Sequence, residues 1–243
     1  MENIGYIFKG YTKIKYINIS NWNLTNVKSI SGMFSGCTSL ETIIFGNSNF
    51  EKVQTMYSLF YNCQSLESVD LSTFKNASNL NDISYMFYYC KNLKEIDLSF
   101  LDISSATNIG GMFWGCTSLT YINLNFTNRK KNQINNMYGL FKYCTDLRSI
   151  DFNDFNTEHV VNMEDMFYNC YSLRYLNLDS FNTSKVESMY FMFGGCSNLI
   201  YLDISNFVGN SLFTCSYIFL NVKKSIIYIN DIFNITLRTK GCL

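Results

Sequence analysis

The sequence predicts an α/β solenoid, a stack of about nine repeats of about 26 residues in which a short helix precedes a short strand. Three observations lead to this prediction. Seven of the nine cysteines recur at nearly constant spacing, the apolar residues change their period halfway through each repeat, and the repeats fill almost the whole chain. We expect the strands to form one parallel sheet on the concave face of the solenoid, with the helices behind it.

The cysteine spacing defines the repeat. The seven regularly spaced cysteines are 26, 27, 26, 28, 26 and 26 residues apart, and they are Cys37, Cys63, Cys90, Cys116, Cys144, Cys170 and Cys196. The same slot extends backwards to Tyr11 and forwards to Val222. A fixed period in this range is typical of repeat arrays. Cys215 and Cys242 are expected to lie outside this ladder.

Each repeat contains two apolar periods, best seen in residues 181–205. In the first half, apolar side chains are three or four residues apart, which predicts one face of a short helix; they are Val186, Met189, Met192, Phe193 and Cys196. In the second half, Leu202 and Ile204 flank Asp203, and this alternation predicts a strand. Neither element buries its apolar face alone, so the repeats must stack as a solenoid of the leucine-rich-repeat kind.

The recurring string M-F-x-x-C-x-S-L-x-x-L-D-L resembles that of the BspA-like leucine-rich-repeat surface proteins of bacteria and protists. It occurs as MFYNCYSLRYLNL in residues 166–178 and as MFSGCTSLETIIF in residues 33–45, and FNTSKV in residues 181–186 is similar to the family's helix lead-in. The resemblance covers residues 4–222. It implies a cell-surface or secreted protein that binds other proteins or host surfaces, although residues 1–243 show no export signal or anchor of their own.

The sequence predicts two parts: a repeat array in residues 1–222 that starts in mid-repeat, and a degenerate C-terminal cap in residues 223–243. Residues 226–237 alternate apolar and polar side chains, and we expect them to form a closing hairpin. The first repeat has no visible cap, and open strand edges invite pairing with other chains. Self-association through this N-terminal edge is therefore a further prediction.

The strands predict a binding surface on the concave face. Tyrosines, aspartates and asparagines alternate with buried residues there, and tyrosine is enriched at recognition surfaces. The candidate ligand-binding residues are Asp70, Asp97, Tyr121, Asn123, Asp151, Tyr175, Asn177, Tyr201 and Asp203. The ligand is expected to be a protein or a glycan. Alternatively, the acidic and amide side chains merely cover the solvent side of the sheet, where tyrosine is a good strand former.

Metal, cofactor and catalytic sites are not expected. The ladder cysteines share their slot with Tyr11 and Val222, which favours buried thiols over disulfides or zinc ligands. Asn123 and Asn177 interleave with the acids, which leaves little need for calcium. The single histidine, His159, precedes a core residue and is expected to be a surface residue rather than a general base.

The composition limits the partners. Nineteen basic residues balance nineteen acidic ones, so nucleic acid is not an expected partner, and no apolar run approaches the roughly 18 residues that membrane insertion requires. The basic stretch at residues 128–131 (NRKK) is expected to be a solvated loop. The leading hypothesis is a non-enzymatic surface or adhesion protein. The alternative is an intracellular scaffold with unpaired cysteines, and the sequence leaves the location open.

Overall fold

The computed structural model describes residues 2–152, 154–223 and 226–242. The chain forms a leucine-rich-repeat solenoid of nine stacked rungs, which confirms the fold class, and within the described residues an α-helix occurs only after the last strand. The strands are β1 (Tyr16–Asn18), β2 (Thr42–Ile44), β3 (Glu95–Asp97), β4 (Tyr121–Asn123), β5 (Ser149–Ile150), β6 (Tyr175–Asn177), β7 (Tyr201–Ile204) and β8 (Ile226–Ile229), and the helix is α1 (Asp231–Thr239).

Each strand pairs in parallel with the strand of the neighbouring rung, so that equivalent residues of the repeat lie side by side. Tyr175, for example, is opposite Tyr201, and Asn177 is opposite Asp203. We use the term sheet face for the outward side chains of these strands and of residues 68–70, which occupy the strand position of the third rung.

The single continuous sheet that the sequence predicts is interrupted twice. The strands form three sheets, in the orders β1-β2, β3-β4 and β5-β6-β7-β8. The interruptions coincide with the two rungs that exceed the 26-residue period, between Cys63 and Cys90 and between Cys116 and Cys144. Two 3-10 turns of the described residues, Ser72–Phe74 and Arg129–Lys131, lie in these longer rungs and accommodate the additional residues.

The helix predicted for the first half of each repeat is wrong. This segment is instead a succession of turns, and α1 is the one α-helix in the described part of the chain. The turn segments form a second parallel ladder across all nine rungs. One residue of each segment takes part in its bridges: Asn3, Ser29, Thr55, Asp82, Asn108, Asn136, Asn162, Ser188 and Thr214. We call the nine segments that begin at these residues, and end seven residues later, the turn wall.

The turn wall bends because each segment contains two residues with left-handed backbone, four positions apart. In the second rung these are Gly32 and Gly36, with φ of 59° and 76°. Backbone N–H groups then alternate between two partners. Those of Gly32 and Gly36 donate across to carbonyls of the next rung, whereas that of Met33 donates three residues back within its own rung. An α-helix would satisfy all of them internally, so the left-handed residues convert a helix pattern into an inter-rung ladder.

The core lies between the two ladders and is dominated by phenylalanine. Nine rings, one per rung, form eight consecutive stacked pairs with centroid distances of 5.3–5.9 Å and interplanar angles of 3–16°. They are Phe8, Phe34, Phe60, Phe87, Phe113, Phe141, Phe167, Phe193 and Phe219. Apolar residues of both walls pack around this stack in one continuous cluster. The repeat thus buries its apolar residues only by stacking on its neighbours.

The C-terminal end differs from the predicted hairpin. β8 pairs in parallel with β7 and is followed by α1, whose Phe233 and Leu237 are buried. Asn230 begins the helix, because its side-chain oxygen accepts the N–H of Phe233 at 2.8 Å while its amide nitrogen donates to the Ser205 and Phe207 carbonyls. The helix is therefore fixed to the preceding rung. The boundary between array and cap at residue 222 stays a prediction.

Candidate functional site

The sheet face presents tyrosines to solvent at the first position of several strands. Tyr121 and Tyr175 are 59% and 56% exposed, and Tyr16 is 55% exposed. The intervening residues Ile17 and Leu176 are buried, as the two-residue period of a strand requires. The structure thus places these predicted site residues on one surface, which corresponds to the concave face of the sequence-based prediction.

Tyr201 is a sheet-face tyrosine that contacts side chains of both its own rung and the next. Its hydroxyl donates to Asp203 Oδ2 at 3.2 Å, and its ring lies 5.4 Å from that of Tyr228 in the next rung. Partial burial and the neighbouring Asp203 carboxylate raise the pKa of Tyr201. Burial acts to raise the pKa of Asp203 as well, but hydrogen bonds from Ser205 and Tyr201 stabilise its carboxylate and lower that pKa. Asp203 is consequently an ionised acceptor held by its own rung.

The acidic and amide side chains of the sheet face have a structural task that the sequence analysis did not foresee. Each accepts, through Oδ1, the backbone N–H two residues further on, at 2.8–3.1 Å; they are Asn18, Asp70, Asp97, Asn123, Asn177 and Asp203. These Asx turns end the strands, and Asp and Asn perform this equally well because both offer Oδ1. The alternation of Asp and Asn is therefore explained without a ligand.

Several of the predicted site residues line two shallow depressions of the sheet face. One is lined by residues of the third to fifth rungs, including Asp70, Asp97 and Tyr121. The other is lined by residues of β5 to β7, including Asp151 and Tyr175. All nine candidate residues are thus on one face, grouped in two regions on either side of the break between β4 and β5.

The ladder cysteines are structural, which confirms their predicted burial. Each of the seven thiols donates to the carbonyl of the stacked phenylalanine in the preceding rung, at 3.0–3.2 Å. Burial raises the pKa of all seven, that of Cys196 to about 12. Neutral buried thiols are poor nucleophiles and poor metal ligands. The described residues contain no cluster of His, Cys, Asp and Glu that is suited to a metal ion.

The last two cysteines form a disulfide that sequence reasoning missed. Cys215 and Cys242 are bonded, with their Cα atoms 5.2 Å apart. Both cysteines lie outside the ladder of the other seven, as the spacing predicts, but Cys215 is part of the repeat and occupies the slot that Met163 and Met189 fill in earlier rungs. The bond joins the segment after α1 to the ninth turn-wall segment. The substitution of Cys for Met in one rung is the signal that marks this pair.

The turn wall carries an aromatic cluster that was also missed. At its centre, Lys142 forms an ion pair with Asp165 at 2.6 Å, and the two side chains are only 14% and 10% exposed. The Lys142 ammonium lies 4.2 Å from the Trp114 ring centroid and 5.2 Å from that of Tyr168. The sequence signal was present in the aromatic residues at the variable positions between the buried Met and Cys slots, for example Tyr168.

His159 is partly exposed, with Nε2 2.9 Å from Glu158 Oε1 and Nδ1 3.3 Å from Lys185 Nζ. Its neighbours are thus charged surface side chains, which matches the predicted surface position. In the NRKK segment, Lys130 pairs with Asp154 of the next rung at 3.0 Å. This segment is a 3-10 turn without buried residues, which agrees with the predicted solvated position, and its ion pair links it to the next rung.

A comparison with models of protein families found one family that matches most of the chain. The family described as "Mycoplasma protein of unknown function, DUF285" matches residues 2–125 and 119–231. A comparison with curated proteins found no match.

Solved structures of bacterial leucine-rich-repeat proteins are similar to the chain at low identity. A leucine-rich-repeat protein from Eubacterium ventriosum is 18% identical with a TM-score of 0.49, over 93% of this chain and 63% of that one. The Treponema pallidum protein TpLRR is 15% identical with a TM-score of 0.34, over 99% and 77%. A leucine-rich cell surface protein from Faecalibacterium prausnitzii is 16% identical with a TM-score of 0.35, over 81% and 61%.

Solenoids of this kind are typically non-enzymatic scaffolds for protein interaction. Among the described residues, no helix has the length and apolarity to cross a bilayer.

Proposed function

The chain belongs to the DUF285 family, and we propose that it is a non-catalytic interaction module of the cell surface or the secreted space that binds a protein ligand through its sheet face. The observation that carries this proposal is the exposure of Tyr121 and Tyr175 on one regular surface. Such rings offer large, rigid contact area with a polar tip, at a small cost in conformational entropy. A glycan ligand is the second candidate, because the same rings offer flat apolar surface.

The contrast with the turn wall supports this assignment. The aromatic rings of that wall contact one another, as Tyr61 and Tyr88 do at 4.6 Å, or surround Lys142. Tyr121 and Tyr175 make no such ring contact within the described residues. Their apolar surface is therefore available to a partner without any rearrangement of the fold.

The disulfide favours the surface or secreted location over the intracellular alternative. Disulfides persist in oxidising compartments and are rare where cytosolic reductants act. The intracellular scaffold hypothesis relied on the missing export signal and on unpaired cysteines, and the bond between Cys215 and Cys242 weakens the second of these grounds. The resemblance to BspA-like surface proteins points the same way.

Site-specific photo-crosslinking in the source cells tests the binding face. A benzophenone amino acid is introduced in place of Tyr175 on the sheet face and, as the matched control, in place of Tyr57, which is 38% exposed on the turn wall. We expect protein adducts from position 175 and none from position 57. Adducts from position 57 alone, or equally from both, would contradict the proposed face.

Protease treatment of intact source cells tests the location. Peptides of this chain should appear in the supernatant without lysis. Complete protection, with the protein recovered only after lysis, would overturn the surface assignment and favour the intracellular scaffold.

A further inference from the structure

One margin of the sheet face carries a column of residues that directly precede the strand positions. We call it the pre-strand column, and it consists of Lys15, Glu41, Glu67, Lys94, Thr120, Arg148, Arg174 and Ile200. Its first four members neutralise one another across neighbouring rungs. Lys15 pairs with Glu41 at 2.9 Å, and Lys94 pairs with Glu67 at 2.7 Å.

Arg148 and Arg174 depart from this pattern. They occupy adjacent rungs, since the Arg174 N–H donates to the Arg148 carbonyl at 2.9 Å, and both side chains are exposed. Their column neighbours Thr120 and Ile200 carry no charge. Within residues 2–152, 154–223 and 226–242, neither arginine takes part in an ion pair. Like charges on neighbouring strands repel, so this pair is retained at some cost in stability.

The two arginines adjoin the tyrosine-lined part of the sheet face. Arg174 directly precedes Tyr175, and Arg148 precedes Ser149, which is opposite Tyr175 in the strand register. Both Ser149 and Tyr175 line the depression of β5 to β7. The arginines are exposed at the margin of this depression without lining it, so an anion that they bind would lie at the edge of the sheet face. Asp151 lies three residues after Arg148, at about 10 Å by strand geometry, whereas Asn177 is three residues after Arg174 and Asp203 is opposite Asn177 in the next rung.

We propose that Arg148 and Arg174 bind the carboxylates of an acidic segment of the protein ligand while Tyr175 and Tyr201 contact its apolar atoms. This inference rests on the proposed function and names the chemistry of the partner. The guanidinium group offers a planar fork of donors that matches a carboxylate, and adjacent rungs repeat that fork at about 4.8 Å. The bound carboxylates would relieve the repulsion between the two arginines.

The test uses a fluorescent polyglutamate peptide and fluorescence anisotropy. Three forms of the full chain are compared: the parent, Arg148→Gln/Arg174→Gln, and the matched control Lys15→Gln/Lys94→Gln, which removes the same charge from the paired part of the column. We expect the arginine variant to bind at least about tenfold more weakly and the lysine control to match the parent within about threefold. Binding by the parent should weaken as salt rises. Thermal unfolding establishes that both variants are folded.

Failure has three recognisable forms. Absence of polyglutamate binding by the parent, or equal weakening in the lysine control, would overturn the proposal. Binding of polygalacturonate without binding of polyglutamate would also overturn it and assign the arginines to an acidic glycan. If position 175 still crosslinks to a protein in cells while polyglutamate fails, the partner is not acidic but the proposed function stands. Absence of crosslinking overturns the proposed function itself.

Discussion

The two walls of the solenoid use the same residue types in opposite ways. On the turn wall, the Lys142 ammonium lies over aromatic rings, and its ion pair with Asp165 is largely buried. In the pre-strand column at the margin of the sheet face, Lys94 and Glu67 form a similarly short ion pair that is about 60% exposed. Tyrosines of the turn wall contact one another, whereas Tyr121 and Tyr175 face solvent. The side chains of the turn wall are thus largely occupied with one another, whereas Tyr121 and Tyr175 of the sheet face are open to solvent.

The core that both walls share should show the largest effect. The Phe113 ring is fully buried and stacks on Phe87 at 5.7 Å and on Phe141 at 5.7 Å. Phe113→Ala should lower the free energy of unfolding by about 3–5 kcal/mol, because it removes stacking contacts with two rungs and leaves a cavity. Chemical denaturation measures this. The control Tyr171→Ala, at a residue 44% exposed, should change little. Comparable losses from both variants would refute the stacked core.

The second largest effect on the free energy of unfolding should come from the buried ion pair of the turn wall, compared with the exposed pair beside the sheet face. Asp165→Asn leaves the Lys142 ammonium in its aromatic surroundings without a counter-ion, and we expect a loss of about 3 kcal/mol. Asn retains the tolerance for left-handed backbone that Asp165 needs at φ 58°. The matched change Glu67→Gln in the exposed pair should cost about 0.5 kcal/mol. Unfolding in urea compares the two, and equal losses would remove the distinction between the walls.

Substitutions at two left-handed glycines of the turn wall should distinguish the cost of left-handed backbone from the cost of a steric clash. At Gly36 an added Cβ meets nothing closer than 3.5 Å, so Gly36→Ala reports the cost of left-handed backbone alone, about 1 kcal/mol. At Gly111 the Cβ would come within 2.5 Å of the Tyr85 ring. Gly111→Ala should therefore cost about 1–2 kcal/mol more. Thermal unfolding of both variants decides this, and a smaller loss at Gly111 would contradict the described packing.

In the folded state, the seven ladder cysteines should not react with a thiol reagent. Because burial raises their pKa values and hides them from solvent, the seven ladder cysteines should resist a thiol reagent at neutral pH. Denaturation without reduction should expose seven reactive thiols, and reduction should add the two of Cys215 and Cys242. Nine reactive thiols in the unreduced, denatured chain would disprove the disulfide.

The sequence predicted the repeat, the strands and the buried slots because these depend on the period alone. The register Tyr175 to Tyr201 follows directly from the 26-residue spacing. The turn wall was misassigned because helices and this succession of turns both bury residues three or four apart, as at Met33, Phe34 and Cys37. The deciding signal was glycine or asparagine at fixed positions such as Gly36 and Asn62, which tolerate left-handed backbone.

The candidate site was predicted only in part, for a related reason. Alternation along a strand identifies which residues face outward, so Tyr121 and Tyr175 were placed correctly on one face. It does not reveal local hydrogen bonds, and Asp97 and Asn177 instead close Asx turns with the N–H groups of Ser99 and Asp179. The sequence pattern likewise did not predict the ion pairs between rungs, because these depend on which side chains become neighbours after stacking.

The most direct test of the difference between the walls is the free energy of unfolding of Tyr121→Ala/Tyr175→Ala, measured by chemical denaturation. If the two exposed tyrosines do not stabilise the fold, this double variant should remain within about 1 kcal/mol of the parent, because both rings face solvent. A loss that approaches the expected effect of Phe113→Ala would show that these tyrosines hold the fold together and would contradict their assignment to binding.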